Sequence, residues 1–64
     1  MFDLEQDYAH YHNNIYRFIY FLTFDEALAE DLMQETFIRA HNARQSFRGQ
    51  SNTLTWLRTI ARNI

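Results

Sequence analysis

Sixty-four residues make one small domain or part of one, and at that length folding buries only roughly 60% of the surface an unfolded chain exposes. With no Cys, disulfides and thiolate metal sites are excluded, so the fold leans on a partner or on a longer chain. The net charge of −2 hides an asymmetry: residues 1–35 hold all eight acids and the single base Arg17, and residues 36–64 hold five arginines and no acid, which predicts two surfaces for two kinds of partner.

The start of the chain is acidic (Asp3, Glu5, Asp7), the wrong sign for a signal peptide. The most apolar run, residues 15–22, contains Arg17 and falls far short of the roughly 20 residues of a membrane span. A cytoplasmic protein without a membrane segment is expected. Leu4, Tyr8, Tyr11, Ile15, Phe18 and Leu22 recur at helical spacing, which predicts a first helix over residues 4–22, its apolar face widened by Ile19 and Phe21. Thr23-Phe24-Asp25-Glu26 fits the Thr-x-x-Glu capping box and predicts the start of a second helix running to about Asn42. Asp25, Glu26, Glu30 and Asp31 favour its dipole-positive end.

The faces of that second helix separate at about 100° per residue. Ala29, Leu32, Met33, Thr36 and Ala40, with Phe37 at the edge, should pack on the first helix. Asp31, Gln34, Glu35 and Ile38 lie opposite, a polar face interrupted by one apolar residue, which suits either a protein partner or plain solvent. Residues 43–51 form a loop around Gly49, the sole glycine. Ser51 or Asn52 then caps a last helix. Leu57, Ile60, Ala61 and Ile64 line one side of it, flanked by Leu54 and Trp56. Thr55, Arg58, Thr59 and Arg62 line the other, bordered by Asn52 and Asn63, a set suited to phosphates and base edges. Trp56 reads as packing between helices. The pattern runs into Ile64 without a stop signal, which predicts that the helix continues in a longer chain.

The residues make no case for catalysis or for a cofactor. His10 and His12 point roughly 160° apart on a helix and cannot share an ion. Asp31 and Glu35 have no nucleophile, His or phosphate loop beside them.

Two stretches are more specific: residues 29–40, Ala-Glu-Asp-Leu-Met-Gln-Glu-Thr-Phe-Ile-Arg-Ala, and Ser46-Phe47-Arg48-Gly49-Gln50-Ser51 followed by Thr55-Trp56-Leu57 and Ile60-Ala61-Arg62-Asn63. In this order and separation they resemble region 2 of the bacterial sigma-70 family, extracytoplasmic-function subfamily. The resemblance implies an all-α bundle of three to four helices over residues 1–64, with the second DNA-binding domain of the family (region 4) absent. It implies a non-enzymatic role in transcription initiation: binding the β′ coiled coil of core RNA polymerase, then recognising and melting the promoter −10 element. The polymerase contacts would be Asp31, Gln34, Glu35 and Ile38. The DNA contacts, to the single non-template strand, would be Phe47, Arg48 and Gly49 of the loop and Asn63 of the last helix, with one base flipped into a pocket. Thr55, Arg58, Thr59 and Arg62 would complete that surface. An anti-sigma factor covering the same surfaces is a further implied partner. Phe47 has a second reading, as a loop anchor in the core. Phe24 stands where the family has a small turn residue, which would extend the first helix. A helical protein-interaction module that never touches nucleic acid is the alternative function.

Overall fold

The computed structural model describes residues 1–49 and 51–64. Three α-helices follow one another: α1 (Leu4–Thr23), α2 (Glu26–Asn42) and, after a single 3₁₀ turn at Arg44–Ser46, α3 (Thr53–Arg62). No strand occurs among the described residues. The 20 residues of α1 set the long axis of the molecule, whose principal extents are 32 × 20 × 17 Å. The two longer helices pack most extensively on each other, and α3 lies against both.

Each helix starts on a side-chain cap. Asp3 accepts from the Gln6 N–H at 3.0 Å, while Asp7 reaches back to accept from the Asp3 N–H at 2.8 Å. Asn52, one of the two residues expected at the start of α3, accepts from the Thr55 N–H at 2.8 Å. At α2 the cap is Asp25, which accepts from the Leu28 N–H at 3.0 Å, and not the expected Thr23. Thr23 is still the last residue of α1, and its hydroxyl accepts from the Asp25 N–H at 3.3 Å. The turn is only two residues long, so the threonine serves the linker and the aspartate serves the helix. Such caps each contribute about 1 kcal/mol.

Phe24 does not extend α1. It adopts the left-handed conformation at φ 52° and ends the helix, its N–H donating to the Tyr20 carbonyl at 2.7 Å. The ring sits 5.9 Å from Tyr20 and is 74% exposed. A glycine normally takes that position, because a Cβ there is strained.

The core is Phe2, Ile15, Ile19, Ala29, Met33, Phe37, Ala40, Phe47, Leu57 and Ala61. The expected buried face of α2 is present, with Phe37 at its centre and not at its edge, and with Leu32 only half-buried. On α1 the buried line runs through Ile15 and Ile19, and the outermost members of the predicted stripe, Leu4 and Leu22, are exposed. They lie in the first and last turns of α1. The one buried polar side chain among the described residues, Thr36, donates its hydroxyl to the Leu32 carbonyl at 2.7 Å. Phe2, outside every helix, is buried against Phe37 at 6.4 Å and edge-on to Trp56 at 5.5 Å, so it locks the start of the chain across α2 and α3.

Candidate functional site

On α2 the residues opposite the core stay open to solvent. Asp31, Gln34 and Ile38 are exposed, Ile38 to 54%, and Glu35 is half-buried. Along this side of the helix Gln34 donates to Glu30 at 3.2 Å, and Arg39 pairs with Glu35 at 3.0 Å. An exposed i,i+4 pair of this kind contributes roughly 0.3–0.5 kcal/mol, so the face can exchange it for a partner's cation at little cost. The Tyr16 phenol is pushed above its ordinary value by desolvation first, then by Glu26, Tyr20 and Glu30.

The other surface is built from three elements. Around α3 the residues outside the core follow one another at helical angles as Asn63, Asn52, Thr59, Thr55, Arg62 and Arg58, a polar arc of roughly 140°. Within it Thr59 donates its hydroxyl to the Thr55 carbonyl at 3.0 Å. At one border of the arc Arg58 donates to Asn14 of α1 at 2.8 Å. The guanidinium carbons of Arg58 and Arg62 stand 5.5 and 5.6 Å from the centre of the Phe18 ring. Asn14, Arg17, Phe18, Phe21 and Arg58 line a concavity of about 310 Å³ there. The lone base of the acidic half, Arg17, thus joins the arginines of α3. Arg58 Nε is buried without a hydrogen-bond partner, as is His41 Nδ1 at the end of α2.

At the opposite border lies the loop. Arg44 caps the end of α2 by donating to the His41 carbonyl at 2.7 Å. Phe47, expected to meet a base, is 9% exposed and stacks on Trp56, centroids 4.4 Å apart and planes within 16°. The loop-anchor reading of Phe47 is the one the fold adopts, and Trp56 is the packing residue it was expected to be. The stack is a stiff base from which Arg48 and Gly49 project, both exposed. Gly49 has φ 78°, and a Cβ would meet nothing within 4 Å, so backbone conformation and not crowding asks for glycine there. Gln50 lies outside the described residues. Asn63 caps the end of α3, two turns from Trp56 and so on nearly the same side, about 10 Å along the axis.

Sequence reasoning missed Asn14, Arg17, Phe18 and Phe21 on this surface and Phe2 beneath it. Arg17 was signalled only as a base among acids, and Phe2 and Phe21 only as aromatics outside the helical stripe. The histidines are engaged separately, His12 stacked on Tyr8 with Nδ1 2.8 Å from the Tyr8 carbonyl, and His10 edge-on to Tyr11. No group of three or more His, Cys, Asp or Glu among the described residues could hold a metal ion. No helix of the described residues is long and apolar enough to cross a membrane.

The family model for sigma-70 region 2 matches residues 8–64, nearly the whole chain. The chain belongs to the sigma-70 region 2 family. Its relatives place it with the extracytoplasmic-function members. It is 40% identical over 57 residues to the ECF RNA polymerase sigma factor SigX of Bacillus subtilis, covering 89% of this chain and 29% of that protein. It is 43% identical over 60 residues to SigM of the same organism, covering 94% and 36%, and 43% identical over 58 residues to BldN of Streptomyces coelicolor, covering 89% and 22%. The chain therefore spans about a third or less of the length of these relatives. No solved structure matches.

Proposed function

We propose that this chain is the part of a cytoplasmic sigma factor that joins core RNA polymerase to promoter DNA. The observation that carries this reading is the separation of two exposed surfaces on one small bundle, acidic on α2 and acid-free on α3. Asp31, Gln34, Glu35 and Ile38 contact the β′ coiled coil, which must offer bases around an apolar spot. The arc from Asn63 to Arg58 faces the non-template strand of the −10 element.

Capture of a flipped base falls to the exposed Arg48, Gly49 and Asn63, and Phe47 acts by holding the loop in place. A base leaving the stack needs hydrogen-bonding groups for its edge and a surface for its face. Recovery of that cost by the right base alone couples recognition to melting. The Arg-lined hollow beside Phe18 holds the backbone further along, since guanidiniums parked over an aromatic ring are aimed at phosphate without much entropy to lose. An anti-sigma factor that masks the acidic face or the arginine arc would silence both steps.

Two measurements test this. Binding of single-stranded −10 oligonucleotides should weaken with salt at a logarithmic slope of about −2, the value expected if Arg17, Arg58 and Arg62 each neutralise one phosphate. Asn63→Ala should relax preference at one base position, and an equal loss for every sequence would reject the base-capture role. In a pull-down with the isolated β′ coiled coil, Gln34→Ala/Glu35→Ala should lose most binding. A chain that binds the coiled coil but no oligonucleotide at any salt would be a protein-interaction module only.

A further inference from the structure

Beside the acidic face of α2 the surface is concave. An open groove of about 490 Å³ runs between the start of α1 and the middle of α2, walled by Leu4, Glu5 and Tyr8 on one side and Gln34, Phe37 and Ile38 on the other. Its floor is aromatic, with Tyr8 meeting the buried Phe37 edge-on at 5.0 Å. Its rims are aliphatic and wet: Leu4 is 38% exposed and Ile38 54%. The fold does not bury either rim residue, and apolar side chains open on both sides of a concavity with few polar groups mark a binding surface. The polar groups present are one carboxylate, one amide and the Tyr8 hydroxyl, with no base.

Gln34 and Ile38 belong both to the groove and to the polymerase-facing side of α2, so the two are continuous. We propose that the groove receives an aliphatic side chain from the same basic helix that Asp31, Gln34 and Glu35 meet, which makes α1 part of the polymerase contact. This rests on the polymerase reading given above. The occupant follows from charge and continuity. Glu5 lines the site, and Asp31 and Glu35 continue the open side of α2 next to Gln34 and Ile38, so the partner must be basic. A helix seated along α2 presents side chains at i and i+4 on one side, so a cation for Glu35 and an aliphatic residue for the groove can come from one surface. Leu4 and Tyr8, themselves i and i+4 on α1, then flank the inserted side chain.

The test is titration of the chain with the isolated β′ coiled coil at low and high salt. Leu4→Ala removes one rim at the first position of α1, where Ala is at least as good a helix former as Leu, so the thermal melt should change little. It should weaken binding about fivefold, equally at both salt concentrations, because the lost contact is apolar. Leu4→Met should restore the affinity to within about twofold, as a volume-conserving swap. Glu35→Gln should weaken binding mainly at low salt. If Leu4→Ala binds like the wild type while Gln34→Ala/Glu35→Ala does not, the groove is not part of the contact and this proposal fails alone. If neither variant changes binding, the polymerase reading fails and takes the groove with it. Concentration-dependent dimerisation of the chain that Leu4→Ala abolishes would assign the groove to a second copy and overturn the proposal.

Discussion

The acidic face of α2 and the arginine face of α3 are built in different ways. The first is a single stretch of helix, Asp31 to Ile38, whose members are neighbours in sequence and therefore neighbours in space. The second is an assembly: α3 provides the arc, the loop provides Arg48 and Gly49, and α1 provides Asn14, Arg17 and Phe18. A face carried on one helix survives as long as that helix does. A face assembled from three elements depends on every contact that holds them together, above all the Phe47–Trp56 stack and the Phe2 ring set edge-on to it.

That difference can be broken at several strengths. Phe37→Ala should act on both faces at once, because its ring is buried and meets both Phe2 and Tyr8. Truncating such a residue costs about 3–5 kcal/mol, comparable with the whole stability of so small a fold, and a thermal melt by circular dichroism should show little or no cooperative transition. Trp56→Ala removes a half-buried ring stacked on Phe47, at an expected cost of about 2–4 kcal/mol. In a variant that remains folded, oligonucleotide binding should fall well before coiled-coil binding. Equal losses on both faces would show that the loop is not anchored independently of α2.

Phe18→Ala is a finer cut. It removes the half-buried ring beneath Arg58 and Arg62 of α3. Each such contact contributes roughly 0.5–1 kcal/mol at an exposed site, so single-strand affinity measured by fluorescence anisotropy should drop a few-fold while coiled-coil affinity stays constant. Smallest in effect is Phe24→Gly. It relieves a left-handed backbone at a ring that is mostly in solvent, and should change the melt by no more than about 1 kcal/mol, towards greater stability. A loss of stability instead would show that the Tyr20 contact outweighs the backbone strain.

Much of the fold was legible because it depends on short-range pattern. The lack of breakers pointed to helices, the 3.6-residue period located them, and the buried face of α2 followed from its spacing. Where reading by pattern failed, the deciding fact was a contact between segments. The capping box at Thr23 matched in residue type, but the two-residue turn left Thr23 inside α1 and passed the cap to Asp25. Phe47 was open to two readings, base contact and loop anchor, and its stack on Trp56, nine residues further on, is a contact that local pattern does not show.

By itself, then, the sequence determined the all-helical class, the register of each helix and the acidic face, because each of these is set within a few turns by sterics, capping and periodicity. Only the tertiary structure decided that Phe2 belongs to the core, that Phe47 faces inward, that Arg17 sits with Arg58, and that Leu4 and Ile38 border one groove. These depend on which side of one helix meets which side of another. That is settled by the packing of whole apolar surfaces against each other, a property that no local window of residues contains.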